Sequence, residues 1–309
     1  MRDDPVKDIH INSRTSIEDL VSQFGEAGGF VASKISTATS IMRNMQQENC
    51  TKFLSFPADI MATGTRGLLC QLVKNDMVDV IVTTCGTLDH DIARVLADYY
   101  HGDFAMDDKQ LRLESVNRLG NVLVPDDSYG IPIENWMQPI LADIYDKESK
   151  WVPWKIWREL GLRLDNESNG SESLLAICAK KNIKLFVPGP TDGAVGSQLW
   201  LFWQNHKDFT LDILAEEHEL SDIVHEAKST GALMVGGGIS KHHTIWWNQF
   251  RDGLDYAVQV TTAPEWDGSL SGARVREAVS WGKVRPKARR ITVEGDATVM
   301  LPLILGPLL

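Results

Sequence analysis

Short runs rich in β-branched and aromatic residues alternate along this chain with longer stretches whose apolar positions recur every three to four residues. The short runs are "KFLSF" (52–56), "VDVIVTT" (78–84), "KLFVP" (184–188), "ALMVGG" (232–237), "YAVQVTT" (256–262) and "RRITVEG" (289–295). Their length and composition predict strands. Between them, "TRGLLCQLVKND", "LDHDIARVLADYY", "SESLLAICAKKN" and "LDILAEEHELSDIVHEAK" carry helical periodicity. Alternation of this kind predicts an α/β fold with a mostly parallel sheet covered by helices on both faces. No repeat and no linker-like stretch is visible, so one domain is expected over 15–309, behind a short extension at 1–14.

The segments that follow the strands share a character. They read "PADIMATG", "TCGTLDHD", "GPTDGAVGS", "GGISKHH", "APEWDGSLSGA" and "DATV". Small and polar residues therefore gather at the C-terminal ends of the strands, the edge where open α/β sheets bind ligands. Small residues also let a backbone approach a phosphate closely, so a nucleotide site fits this edge. The usual dinucleotide fingerprint is absent: "VGGGIS" is glycine-rich after a strand but lacks the required spacing.

Composition narrows the partners. A formal net charge of −11 over 309 residues argues against nucleic acid and against an anionic membrane surface. It is compatible with a cationic small molecule or a basic protein. Cys50, Cys70, Cys85 and Cys178 show neither CxxC nor zinc spacing and are expected as reduced thiols. The N-terminus lacks an apolar signal region, and the closing "VMLPLILGPLL" is too short to span a bilayer. A cytoplasmic protein with a buried terminal segment is expected. Asp89, His90, Asp91, His242 and His243 could in principle ligate a metal. Adjacent histidines on a helix diverge by about 100°, however, and no pair at i,i+4 is present, so no metal site is expected. Of the ten tryptophans, most are expected in the core or at interfaces, and a minority against a cationic ligand.

The stretch "EAVSWGKVRPKARR" (277–290) sets Lys283 among Arg285, Lys287, Arg289 and Arg290. Such a lysine is ordinarily a wet surface charge. Its surroundings say otherwise: "TAPEWDGSLSGARVREAVSWGKVR" resembles the active-site segment of deoxyhypusine synthases. The resemblance continues through "MVDVIVTTCG", "RLGNVLVP", "PTDG", "GGGISKHH" and "GDATVMLPL", in the family's order, from "PVKDIHI" onward. It implies a Rossmann-like core that binds NAD and a homotetramer with sites at the subunit interface. Enzymes of this family oxidise and cleave spermidine with NAD. They pass its aminobutyl group to a lysine of translation initiation factor 5A through an imine on an enzyme lysine, forming deoxyhypusine.

The resemblance makes Lys283 the nucleophile. A free lysine has a pKa of ~10.4, and imine formation needs the neutral amine, so a fall of ~2–3 units is required. Burial beside Trp281, with close access over Gly282, is the expected means. His242 is the expected proton shuttle, its reference pKa lying nearest neutrality. Carried position by position, the family's NAD contacts fall on the 58–62 segment (Ala58 and Asp59 above all), Thr84, Cys85, Gly86, Asp192, Gly237, Thr262, Ala263, Asp296 and Ala297. Its substrate positions fall on His90, Ser197, His242, Gly268, Ser269, Glu277, Trp281 and Lys283.

Departures from the family are informative. Asp59 stands where an amide is expected, which suits a ribose hydroxyl better than a pyrophosphate. His90, Ser197 and Leu270 replace carboxylates that hold the ammonium groups of the polyamine in better-known members. Losing three anions weakens a site for a trication unless others compensate, and Asp89, Asp91, Glu265 and Asp267 are near enough in sequence to do so. Three alternatives therefore stay open: another donor such as agmatine, a homospermidine synthase-like reaction with a diamine acceptor, and a non-catalytic subunit that binds a partner.

Overall fold

The computed structural model describes residues 5–309. They fall into two compact units, one built from 5–56, 77–79 and 221–309, the other from 57–76 and 80–220. Six parallel strands carry the fold: β1 (Thr51–Ser55), β2 (Val80–Val82), β3 (Lys184–Phe186), β4 (Thr230–Val235), β5 (Leu254–Thr261) and β6 (Val284–Glu294). Each overlaps one of the six runs marked in the sequence. The expected α/β class with a parallel sheet is what the chain adopts.

In the first unit the strand order is β6-β5-β4-β1. The register aligns Leu54, Leu233, Val258 and Ile291 in one row across the four strands. All of β4 is buried, and so is β5 apart from Asp255. Strands buried without alternation have both sheet faces covered. Helix α1 (Phe30–Gln47) packs on β5 and β6 through Ile35, Ala38, Ile41, Met42 and Met45, which recur at helical spacing.

β6 is the edge strand of this unit, and it is irregular. Leu254 pairs with Val284 but Tyr256 already pairs with Arg289, so residues between 284 and 289 bulge out of the ladder. Arg290 Nη1 donates to the carbonyls of Pro286 and Ala288 within that bulge, each at 3.1 Å.

In the second unit β2 and β3 pair in parallel, with Ile81 opposite Leu185. Helices α2 (Cys85–Leu96), α3 (Leu174–Lys181) and α4 (Ala194–Asn205) belong to this unit. The sequence reading did not anticipate its small antiparallel sheet. Val116–Leu119 and Val122–Pro125 form a hairpin that turns at Gly120, whose φ of 61° is open to glycine without strain.

Back in the first unit, α5 (Gly238–Asn248) follows β4 and α6 (Ala297–Leu305) closes the chain. The apolar terminal segment is largely this helix, with Leu301, Ile304 and Leu305 fully buried. Among the described residues no helix is long and apolar enough to cross a membrane. The four cysteines are free and buried.

Candidate active site

In the first unit the candidate catalytic side chains come from α5 and the turn before β6. β4 runs through Gly236 and Gly237 directly into α5, and no side chain caps the helix. A Cβ on Gly237 would lie 2.3 Å from the Ser271 nitrogen, so glycine is required for the 262–273 loop to lie against the helix start. Gly282, with φ at 69°, ends the turn formed by Glu277–Val279, and the Lys283 N–H bonds the Ala278 carbonyl at 3.0 Å.

This turn buries Lys283 to 8% exposure, while Lys287 and Arg289 in the same basic run remain exposed. Its Nζ lies 5.3 Å from the ring centroids of both Trp246 and Trp281. The His242 ring lies 5.6 Å from that of Trp246. Burial, followed by the positive charge of Lys283, holds the His242 pKa below its ordinary value, so the imidazole is neutral and able to accept a proton near pH 7. The structure thus brings Lys283, His242 and Trp281 together around Trp246. Glu277 lies exposed at the head of the turn and acts electrostatically on the neighbouring Lys241.

The 262–273 loop carries Gly268 and Ser269. Gly268 is left-handed with φ at 73°, and the Ser269 N–H and hydroxyl bond Asp267 at 2.8 and 2.9 Å. The Ser271 carbonyl accepts from Thr261 Oγ1 at 3.0 Å and Gln259 Nε2 at 3.1 Å. Thr262 is exposed, and the Ala263 N–H bonds Thr261 Oγ1 at 3.1 Å. Asp296 caps α6 by accepting the Thr298 N–H at 2.9 Å, with Ala297 as the first helical residue.

In the second unit α2 begins at Cys85, immediately after β2, and Thr84 provides no side-chain cap. Burial pushes the Cys85 thiol up to about 12, so it is inert as a nucleophile. The 58–62 segment, expected as a loop, is a 3₁₀ turn with Asp59 exposed. A Cβ on Gly86 would meet the Ala58 Cβ at 2.8 Å, so this turn packs closely on the start of α2. Asp192 is exposed.

The Asp-His-Asp stretch of α2 is occupied by structural duties. Asp89 is 1% exposed and accepts the N–H groups of Ala194 and Val195 and the hydroxyl of Tyr129, each at 2.8 Å. It is the anion at the N-terminus of α4. Asp91, fully buried, accepts Ser173 Oγ and the Leu175 N–H at 2.8 Å and the Leu174 N–H at 3.1 Å, capping α3. The expectation that these two carboxylates replace the lost donor-binding anions is therefore corrected: their oxygens serve helix termini. His90 is 8% exposed, and burial lowers its pKa to about 4, leaving it neutral. The exposed Ser197 turns its hydroxyl back to the Gly193 carbonyl at 3.0 Å.

Sequence reasoning passed over Lys241, Tyr99 and Tyr129. Tyr99 and Tyr129 flank His90, with ring centroids 5.7 and 5.6 Å away. A lysine adjacent to a candidate histidine gave no signal of burial, and the tyrosines meet His90 only through the tertiary fold.

Comparison with known proteins places the chain in a family. The deoxyhypusine synthase family model matches residues 19–307. Relatives that carry the name "Probable deoxyhypusine synthase" match over almost the whole chain. That of Picrophilus torridus is 55% identical over 306 residues, covering 99% of this chain and 97% of its own. That of Thermoplasma acidophilum is 56% identical over 305 residues, with the same coverage of both chains. A solved structure from Entamoeba histolytica that bears the deoxyhypusine synthase name shares the fold with a TM-score of 0.66 at 20% identity. It covers 98% of this chain and 96% of its own. From end to end of its two units, this chain belongs to the deoxyhypusine synthase family of transferases.

Proposed function

We propose that the chain transfers the aminobutyl group of spermidine to a lysine of the translation initiation factor 5A precursor, forming deoxyhypusine with NAD as cofactor. The observation that carries this reading is the buried Lys283, set against two indoles beside a neutral imidazole. A primary amine there attacks the carbon of an oxidised amine donor. The bond from that carbon to the oxidised nitrogen breaks, the rest of the donor leaves as a diamine, and an imine joins Lys283 to the aminobutyl carbon. Attack by the acceptor lysine on the same carbon releases Lys283. His242 carries protons between the incoming and departing amines.

NAD, when bound, supplies the hydride chemistry that activates the donor and reduces the final imine. The residues present fit such a cofactor. Helices α5 and α2 each start directly after a parallel strand with no side chain capping their first N–H groups, the arrangement that receives phosphate. Gly237, Thr262, Ala263, Asp296 and Ala297 are the expected contacts in the first unit, and Ala58, Asp59, Thr84, Cys85, Gly86 and Asp192 in the second. Asp59, exposed on its 3₁₀ turn, suits a ribose hydroxyl.

A second reading, in which agmatine or another amine is the donor, also has an observation behind it. His90 is neutral and enclosed, Ser197 and Leu270 carry no charge, and Asp89 and Asp91 cap helices. The homotetramer and cytoplasmic location belong to the leading reading. Support for assembly comes from exposed Trp200 and Trp203 in one unit and Trp246, Phe250 and Trp281 in the other. Mass spectrometry of the factor 5A precursor after incubation with enzyme, NAD and spermidine tests the proposal. One aminobutyl addition on a lysine is expected, and an unmodified acceptor with every amine tried would overturn it.

A further inference from the structure

Lys241 stands out as a buried charge that the proposed chemistry does not use. It lies on the first turn of α5, adjacent to His242, and is 2% exposed. Its Nζ donates to the Leu270 carbonyl at 2.8 Å and to the Ala273 carbonyl at 2.5 Å. Among the described residues these are the only hydrogen-bond acceptors of Nζ, and both belong to the 262–273 loop. Burial lowers the pKa of this lysine to about 8, opposed by the carboxylate of Glu277. Protonated or neutral, the amine has at least two N–H groups, enough for both carbonyls.

We propose that Lys241 is the positioning residue of the donor site: it pins the 262–273 loop from beneath and thereby places Gly268, Ser269 and Leu270. Three features make the loop depend on it. The Gly237 contact brings the Ser271 backbone against the head of α5, within reach of a side chain one turn along. Gln259 and Thr261 hold the Ser271 carbonyl from the β5 side, which leaves the flanking carbonyls of Leu270 and Ala273 to Lys241. Bonds within the loop, from Ser269 to Asp267 and from the Ala273 N–H to the Ser269 carbonyl, shape the turn but do not anchor it to the sheet. Without the amine, two partly buried carbonyls lose their donors and the loop finds a new resting place.

The inference rests on the proposed reaction for its kinetic consequence but not for its structural one, so two measurements separate them. The first is hydrogen exchange on the whole protein, wild type against Lys241→Met, which keeps the stem and removes the donors. Amides of Ser269, Gly272 and Ala273 should exchange about tenfold faster while amides of β4 and β5 are unchanged. The second is steady-state kinetics with spermidine and with agmatine, in which KM for the active donor should rise about tenfold and kcat change far less. Should Lys241→Met fail to fold, Lys241→Arg, which retains a cationic donor, is measured instead and should show a smaller KM rise with the same loop-confined exchange.

Unchanged loop exchange overturns the inference, as does acceleration spread evenly over the unit, which marks a merely structural lysine. A fall in kcat at constant KM overturns it too, by making Lys241 part of the chemistry. If wild type turns over neither amine, the proposed reaction fails while the exchange result still decides the role of Lys241.

Discussion

His90 Nδ1 and the Tyr99 hydroxyl lie 2.9 Å apart, and the imidazole is enclosed between the rings of Tyr99 and Tyr129. Where the family resemblance leads one to expect an anion, this chain holds a neutral, hydrogen-bonded ring. Its protonation is linked to folding. The folded pKa, lowered to about 4 by burial, lies below the ordinary 6.5. Above pH 6.5 the stabilisation is fully present, and it is lost as pH falls toward 4, because the unfolded chain takes the proton first. Between pH 7.5 and 5 wild type should lose roughly 2 kcal/mol more than His90→Gln in urea unfolding. Equal losses in the two proteins would mean that the ring is not buried as described.

Glu216 predicts the opposite slope. It is 3% exposed and accepts the Trp154 N–H at 2.7 Å, and burial raises its pKa to about 8. The unfolded group titrates at about 4.5, so the folded state holds a proton that the unfolded state has released. That contribution is complete below pH 4.5 and disappears as pH rises to 8. Glu216→Gln keeps an acceptor for Trp154 without the titration. It should exceed wild type in stability by roughly 4–5 kcal/mol at pH 8.5 and match it near pH 4.5. A variant less stable than wild type at the higher pH would contradict this.

Lys283→Ala and Lys283→Arg should both lose transfer by at least about a thousandfold while folding and NAD binding persist. Arginine fills the same space but cannot lose a proton to become a nucleophile. Borohydride added during turnover should trap an aminobutyl group on Lys283 and on no other lysine. Activity of Lys283→Arg within a few-fold of wild type would refute the assignment.

Asp91 and Asp89 should report on stability and not on donor affinity. Asp91→Ala leaves the first N–H groups of α3 and a buried Arg66 without their carboxylate. A loss of about 3 kcal/mol is expected, with the donor KM of the remaining folded enzyme within about twofold of wild type. If KM instead rose sharply at unchanged stability, these carboxylates would be ligands of the amine after all.

The carboxylates that the family resemblance leads one to expect at positions 90, 197 and 270 give the proposed donor a test. If their lost charges redirect specificity, agmatine or another amine should exceed spermidine in kcat/KM. Combining Ser197→Asp and Leu270→Asp with His90→Glu should then return the preference to spermidine. Each restored ion pair is worth ~1–3 kcal/mol, or roughly 5- to 150-fold, without strict additivity. A strong spermidine preference in wild type that restoration leaves unaltered would show that other groups hold the ammoniums.

Much of the fold is legible in the order of residues, because buried parallel strands must be apolar throughout and the helices between them must show one apolar face. Buried strands such as β2 and β4, and helices such as Leu174–Lys181, follow from that requirement, whereas the edge strand β6 was legible only through its closing "RITVEG". The hairpin at Gly120 escaped notice because its strands are short and only partly buried, so no period-two pattern accumulates. At the site, Lys283 was legible through its motif, whereas Lys241 was not. A buried lysine and a wet one are identical in sequence, and only the tertiary placement of the Leu270 and Ala273 carbonyls distinguishes them. The duties of Asp89 and Asp91 were hidden for the same reason, since each caps a helix that begins more than eighty residues later.

The irregular edge at β6 bears on how copies of this protein can meet. An unpaired strand edge offers its amides and carbonyls to any passing chain, and stacking through such edges begins fibrils. Here Pro286 has no N–H to give, Arg290 already occupies the carbonyls of Pro286 and Ala288, and Lys287 and Arg289 project into solvent as like charges. The basic run after Lys283 thus also makes a poor template for another strand. Whatever assembly this chain forms, this margin of the sheet is left out of register-to-register growth.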